Sequence, residues 1–479
     1  MLHKARGAAE PPLDKERRER GVGEEVLSLE ALGFLPTPPL HFNKYCLWRI
    51  KTAMMEKMGT RKIKPQTLKG FRDFLPNEMR VRNFVLDTIR KVFESFGFEP
   101  LETPSLEYAS TLLGKYGAEA DRLVYTFKDR GDREVGLIYD LTVPVSRVLA
   151  TFRNEIPLPF KRYQIQRVWR ADKPQKGRFR EFVQCDFDIF GIDSPLADAE
   201  IISLTYNVIK RLAFDEAVIK VNSRPLLFSI LKKAEITKRD QQLAVLRVID
   251  KLDKMPEKEV IKELQKNGLS YSTCNRLLDK VKGAEPDAKI TEILNYLQAM
   301  GLEEKYYCFD PTLVRGLDYY TGPIFEAEIE GFKGSVAGGG RYDNLIETLG
   351  GPSIPATGCS LGLDRLCEVL SERGSVSGLN QAQTKVLVTI FDKSLTDQSL
   401  EITSALRSAE VNTEIYPDPT AKLEKQIKYA DRKGIPWVVI LGPEEVKNET
   451  VTVKDLRTGE QETVDRDKVT ECLNKSEQK

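Results

Sequence analysis

Between Phe160 and Gly191 the chain reads FKRYQIQRVWRADKPQKGRFREFVQCDFDIFG, and its polar residues are of types that handle charged ligands. The stretch reads as two strands joined by a basic loop. Arg170 stands where the first strand ends. The loop carries Lys173, Lys176, Arg178 and Arg180 around Pro174 and Gly177. On the return strand, Val183, Cys185, Phe187 and Ile189 share one face, because side chains alternate. Gln184, Asp186 and Asp188 share the other. An acidic row in an otherwise apolar strand needs a reason, since a buried carboxylate is costly unless paired. One hairpin therefore offers a fixed arginine, a cationic loop and inward carboxylates. That set suits a phosphate-bearing ligand beside an ammonium-bearing one. An exposed hairpin with a solvated charged turn accounts for the same residues equally well at this point.

Composition narrows the chemistry. The net charge is only +1, so nucleic-acid contact must come from local basic patches. The 7 cysteines are scattered and form no CxxC pair, which suits a reducing compartment. The 2 histidines, His3 and His41, both precede the main body, leaving it little room for histidine general-base chemistry or His-ligated metals. No apolar run approaches the ~20 residues that span a bilayer, so no membrane partner is expected. Residues 1–62 are charged and Pro-rich without a sustained apolar period, which predicts a disordered extension. Their acids, Glu10 and Asp14 among them, do not support organellar import. A cytoplasmic location is expected, with organellar use open but unsupported.

The elements that must position these residues follow from periodicity. Asn77 to Phe96 has the spacing of an amphipathic helix, stopped at Gly97. Its apolar face exceeds what one sheet edge requires, which predicts a homodimer through Asn77 to Pro104. Leu137 to Val143 reads as a strand on which Asp140 and Thr142 point the same way. Residues 224–302 are successive helical patterns, an expected insert between the halves of a strand-rich domain at 63–223 and 303–375. Residues 376–383 have linker composition. From 384 to 475, a βαβαβ alternation predicts a small α/β domain with a mainly parallel sheet.

These stretches together resemble the class II aminoacyl-tRNA synthetases and, within them, the histidyl-tRNA synthetase family. The helix, strand and Pro104 resemble the class's first motif, residues 160–191 its second, and the strand–helix ending in Arg365 its third. The signatures LVRGLDYYTG at 313–322 and AGGGRYDNL at 337–345 are similar to the family's own. The resemblance implies an α+β catalytic domain, a six-stranded antiparallel sheet flanked by helices, with a helical insert and a C-terminal α/β anticodon-binding domain. It implies ligation of L-histidine to tRNA(His) by way of a histidyl-adenylate, with ATP and Mg2+ entering as the substrate complex.

Residue roles follow from the same resemblance. Arg170 and Arg315 match the catalytic arginines at the α-phosphate, where a fixed guanidinium meets developing charge. Arg365 matches the arginine at the γ-phosphate. Asp172, Arg178 and Phe182 complete the expected ATP site. Asp140, Thr142 and Gln184 match the positions that hold the ligand's ammonium. Asp188 and Tyr320 match those that read both edges of the imidazole. Asp140 and Asp188 replace glutamates common in bacterial members. Arg315, Leu317, Tyr319, Gly339 and Gly340, together with Arg341 and Tyr342 of the signature, complete the amino-acid pocket. Lys173 and Lys176 match a tRNA-facing loop, and Lys422 and Lys425 share a helix face open to anticodon contact or simply to water. The alternative is a catalytically inactive paralogue serving as a regulatory subunit of ATP phosphoribosyltransferase. Such paralogues lack the C-terminal domain and degrade the arginines, both of which are present here.

Overall fold

The computed structural model describes residues 64–115, 121–174, 177–252, 255–315, 319–374 and 382–476. Residues Thr67–Lys479 form one compact unit. The expected extension, 1–62, and most of the expected linker, 376–383, lie outside the described residues.

This unit opens with helix α1 (Pro76–Ser95). Pro76 sits at its first position, where a missing N–H costs nothing. Glu78 accepts a hydrogen bond from the Leu75 N–H at 3.0 Å. Gly97 takes φ +75°, the left-handed conformation that ends helices. The short strand β1 (Glu99–Pro100) follows. Strands β2 (Leu106–Tyr108), β3 (Thr126–Lys128) and β4 (Glu134–Leu137) form a 3-stranded sheet. Leu137 to Val143 is not one strand, contrary to the expectation. β4 stops at Leu137, and α2 (Thr142–Thr151) begins five residues later, because the Asp140 carboxylate accepts from the Val143 N–H at 3.1 Å and starts the helix.

The central sheet is built from β5 (Phe160–Trp169), β6 (Glu181–Phe190), β7 (Ala217–Ser223), β8 (Tyr307–Phe309), β9 (Pro323–Ile329), β10 (Ala337–Arg341) and β11 (Ala356–Gly362), with β1 added. It has 8 strands in the order β1-β5-β6-β11-β10-β9-β7-β8. The inner strands run antiparallel throughout. One short parallel strand, β1 or β8, closes each edge.

Helices α1, α3 (Pro195–Arg211), α8 (Ala288–Ala299) and α9 (Leu363–Glu372) supply one buried cluster with the odd-numbered residues of β6, Cys185, Phe187 and Ile189. Phe93 of α1 stacks obliquely on Tyr163 and Phe187, at 5.2 and 4.9 Å between ring centroids. Truncating Phe187 to Ala would cost about 3–5 kcal/mol on this account. The face of α1 expected to meet a second copy is therefore used within the chain: Val81, Val85, Ile89, Val92 and Phe93 are all buried. Exposed apolar side chains lie at Met79 and Phe84 of the same helix and at Leu106, Tyr108 and Phe127.

Between β7 and α8 run α4 (Arg224–Lys233), α5 (Arg239–Ile249), α6 (Glu257–Lys266) and α7 (Tyr271–Lys282). Ser223, Ser270 and Asp287 cap α4, α7 and α8 by accepting N–H bonds from their first turns. Helices α4–α7 share a second buried cluster with Ile138, Leu141 and the α2 residues Val143, Val145 and Leu149. α8 belongs to the first cluster, through Ile290, Ile293 and Leu297.

The C-terminal region has its own 5-stranded sheet, in the order β13-β12-β14-β15-β16. Strands β12 (Val386–Val388), β13 (Thr413–Ile415) and β14 (Trp437–Ile440) are parallel, connected by α10 (Thr396–Ser408) and α11 (Leu423–Lys433). An antiparallel pair, β15 (Thr450–Asp455) and β16 (Gln461–Asp465), extends it. Among the described residues, no helix is long and apolar enough to cross a membrane.

Candidate active site

The polar face of β6 forms the floor of a cavity of about 790 Å³. Gln184, Asp186 and Asp188 line it, opposite the face that meets the helices. In register on β5 they face Gln166, Gln164 and Arg162; on β11 they face Gly362, Ser360 and Gly358. Arg162 is fully buried, with its Nη2 2.6 Å from Asp188 Oδ2. The Tyr342 hydroxyl donates to the other oxygen of Asp188. Burial raises the Asp188 pKa, while Arg162 and Tyr342 pull it back down. Gly358 is required here: a Cβ would sit 1.8 Å from Asp188 Oδ1. Asp140 and Thr142 reach the same cavity from the start of α2, not from a strand. Tyr319 bonds to Thr142, and burial holds its phenol well above the usual range. The Tyr319 and Tyr320 rings lie 4.9 Å apart.

A second grouping is cationic. Arg170 stands just past β5, with its guanidinium 4.3 Å over the Tyr139 ring and 5.1 Å from that of Phe182. Its Nε donates to the Tyr139 carbonyl at 3.1 Å. Such stacking holds a planar cation in place while leaving its remaining N–H groups for an anion. Arg315 pairs with Glu326 of β9 at 2.7 Å. The loop that carries it is tied down from behind, because Asn222 donates to the carbonyls of Pro311 and Leu313, at 3.1 and 2.9 Å. Gly338 leaves room for it, since a Cβ there would lie 2.2 Å from Arg315 Nη1. Arg365, at the start of α9, donates to the Ser335 carbonyl. Burial lowers its pKa and so does repulsion from Arg178, Arg315 and Arg170, against a partial offset from Glu326. Asp172 approaches the half-exposed Arg178 at 3.8 Å. The positive charge gathered here is thus only partly compensated, a condition that favours a polyanion.

The cavity lining brings together Asp140, Thr142, Arg170, Asp172, Arg178, Phe182, Gln184, Asp188, Arg315, Tyr319, Tyr320, Gly339 and Arg365. Gly340 is outside the lining, packed against the Pro323 carbonyl and Tyr320. Arg341, expected in the pocket, is turned the other way. Strand alternation puts it on the helix side of β10, where it pairs with the buried Asp198 of α3 at 2.9 Å and donates to the Ile192 and Ser194 carbonyls. Lys173 is exposed in the β5–β6 loop, and Lys422 and Lys425 are exposed at the start of α11. Lys176 and Leu317 lie outside the described residues. Sequence reasoning assigned no role to Arg162, Glu326 or Asp364. Asp364 binds Arg82 of α1 and, at 2.7 Å, Arg72, whose guanidinium stacks on loop residue Phe179 at 3.2 Å. The cross-strand pairing of Arg162 with Asp188 was the one signal that could have revealed a counter-ion. Among the described residues, no three His, Cys, Asp or Glu side chains converge to hold a metal ion.

An antiparallel sheet backed by helices, with stacked and buried arginines over its open face, is the arrangement that the resemblance to the class II aminoacyl-tRNA synthetases implies. The profile of the family described as Histidyl-tRNA synthetase matches residues 70–366, and that of an Anticodon binding domain matches 385–476. The histidine–tRNA ligase of Cytophaga hutchinsonii is 39% identical over 453 residues, covering 86% of this chain and 99% of its own. That of Gloeobacter violaceus is 38% identical over 448 residues, covering 83% and 96%. The crystal structure of histidyl-tRNA synthetase from Nostoc sp. PCC 7120 superimposes with a TM-score of 0.74 at 29% identity, over 87% of this chain and all of that one. The chain belongs to the histidyl-tRNA synthetase family.

Proposed function

We propose that the chain is a histidine–tRNA ligase that joins L-histidine to tRNA(His) in two steps, through a histidyl-adenylate. The carrying observation is the pairing of two groupings in one cavity: partly uncompensated arginines beside a buried row of carboxylate and amide. Asp140, Thr142 and Gln184 take the ammonium of histidine, and Asp188 and Tyr320 take its ring. Its carboxylate then lies toward Arg170 and Arg315 and attacks the α-phosphorus of ATP in line. The bond from that phosphorus to the bridging oxygen breaks, and pyrophosphate leaves. Little covalent work falls to the protein, whose part is positioning and charge stabilisation. Arg170 and Arg315 hold the charge that develops at the α-phosphate. Arg365 and Arg178 hold the departing phosphates, with Phe182 and Asp172 completing the ATP site. Mg2+ accompanies ATP as its counter-ion and lowers the charge of the leaving group. The histidyl group then passes to the terminal ribose of the tRNA, with Lys173 and Lys176 near the acceptor end and Lys422 and Lys425 near the anticodon.

Histidine-dependent exchange of labelled pyrophosphate into ATP tests this reading. Exchange with histidine and none with other amino acids is expected; a folded protein with no exchange would refute it. The regulatory alternative has weaker support. A protein from Bacillus halodurans described as ATP phosphoribosyltransferase regulatory subunit/histidyl-tRNA synthetase is 20% identical, a likeness of fold alone.

We also infer a cytoplasmic homodimer. The exposed apolar side chains Met79 and Phe84 of α1, together with Leu106, Tyr108 and Phe127, supply contact surface for a second copy. Sedimentation at the monomer mass across micromolar concentrations would exclude the dimer.

A further inference from the structure

Asp186 occupies the middle of the polar row on β6 and lines the cavity, yet it is only 3% exposed. Its neighbours are mostly neutral donors. The Ser360 hydroxyl on β11 bonds to it, and the Gln184 amide, which also reaches Ser360 at 2.7 Å, lies 3.5 Å away. The cation that faces this row, Arg162 of β5, is committed to Asp188 at 2.6 Å. Asp188 on the same strand and Asp140 at the start of α2 both repel a charge on Asp186. Tyr319 lines the same cavity as an acid that burial keeps neutral, and Cys185 and Cys359, on the helix side of the sheet, are likewise kept neutral by burial.

The charged groups that act on Asp186 are thus Asp188 and Asp140 against the one guanidinium of Arg162, whereas Arg170, Arg178, Arg315 and Arg365 of the cavity form the separate cationic grouping. Two of the three carboxyl groups have a donor suited to an anion. Asp140 takes the Val143 N–H at the start of α2, and Asp188 takes Arg162 and the Tyr342 hydroxyl. Asp186 has neither a cation of its own nor a helix terminus. Three buried negative charges against one positive charge are unfavourable, and the least supported group yields first.

Resting on the reading of this cavity as a histidine site, we propose that Asp186 is a further ligand-binding residue of the amino-acid pocket, protonated while the pocket is empty and ionised once the ligand's ammonium, shared with Asp140, Thr142 and the adjacent Gln184, lies against it. Burial, reinforced by Asp188 and Asp140 and opposed by Arg162 and Ser360, places its pKa at about 7. On binding, the carboxylic O–H releases its proton to solvent, and the ligand N–H donates to the carboxylate formed. No carbon bond changes and no electron is transferred. A ligand that lacks the ammonium meets a neutral acid and gains no charge-assisted bond.

Calorimetric titration of the full chain with L-histidine at pH 7, in phosphate and in Tris, tests this. The two buffers differ in ionisation enthalpy, so the apparent binding enthalpy should differ in the sense of proton release. The expected release is about half a proton per site. Asp186→Asn should abolish it. Between pH 6 and pH 8 the affinity of the wild type for histidine should rise about tenfold more than that of Asp186→Asn, the variant serving as the reference for titration of the ligand's own ring. Equal enthalpies in the two buffers for the wild type, or the same release from Asp186→Asn, would overturn the proposal. A wild type that binds no histidine in either buffer would overturn the reading beneath it, and the proposal with it.

Discussion

Arg315 and Asp188 each keep an opposite charge at short range, and what that charge leaves free sets the work each can do. Glu326 engages Nη1 of Arg315 and the Tyr320 hydroxyl also bonds to the guanidinium, so the N–H groups that these two leave are what a phosphate can take. Arg315→Ala should lower the rate of adenylate formation by about two orders of magnitude or more, with a smaller effect on the Michaelis constant for ATP. Single-turnover kinetics would check it. Asp188→Asn should weaken histidine binding by roughly one to two orders of magnitude, from loss of a charge-assisted bond. It should also strand the buried Arg162 and destabilise the fold by about 3–5 kcal/mol. Thermal melts beside histidine titrations separate the two effects. Asp186→Asn should act in the opposite sense on stability. A carboxyl raised from 3.8 to about 7 in the folded state favours folding only while it is protonated. Its stabilisation is full below the unfolded pKa and falls away as the pH rises through the folded one. The wild type thus loses on the order of 4 kcal/mol between about pH 4 and pH 7 from this group. The ligand-free variant should therefore melt at a higher temperature than the wild type at pH 8. A lower melting temperature there would contradict the assignment.

β10 shows how one element serves two faces. Gly338 faces the cavity and gives its space to Arg315, whereas a Cβ on Gly339 would come within 2.0 Å of the Gly358 carbonyl and 2.7 Å of Phe325. A side chain can shift but strand backbone cannot, so the two substitutions should part company. Gly338→Ala should keep the melting temperature within a few degrees and lose about tenfold or more in adenylate formation, by displacing Arg315. Gly339→Ala should destabilise by at least 1–3 kcal/mol through overpacking. If both changed stability equally, this division of the strand would be wrong. Much of this was legible in the sequence where a period of two is strict. The alternation on β6 separated the core row Cys185, Phe187 and Ile189 from the polar row beside it. It was less legible where a polar residue serves the backbone: Asp140 reads as part of a strand until its carboxylate is seen to start α2. Arg341 was grouped with its glycines by signature, although alternation already placed it on the far face. The pairing of Arg162 with Asp188 depends on the register of β5 against β6. A long connection, unlike a two-residue turn, does not fix that register. The β15–β16 hairpin carried a usable signal, Val451 and Val453 alternating before a turn at Gly459, that a reading intent on parallel strands passes over.

At the scale of the whole chain, two sets of cores divide the labour. The clusters around the central sheet draw their buried members from Val81 through Leu370, and those of the C-terminal sheet draw theirs from Val386 through Leu473. No buried residue is shared between the two sets, which is the condition for domains that can fold separately. Every residue lining the large cavity falls between Leu123 and Arg365. The two family profiles divide the chain at the same place, ending at 366 and resuming at 385. Adenylate formation needs only the cavity, whereas charging also needs the tRNA held, and a contact at the anticodon multiplies one at the acceptor end through effective concentration. Ending the chain at residue 383 should therefore leave histidine-dependent pyrophosphate exchange within about threefold of the full chain. The same truncation should lower charging of tRNA by about a hundredfold or more, since linked contacts contribute factors of that size. Raising the tRNA concentration should recover part of the charging rate, because the lost contribution is affinity and not chemistry. If exchange fell along with charging in a truncated chain that still melts cooperatively, the C-terminal domain would be part of the catalytic apparatus, and the separation of labour read from the cores would fail.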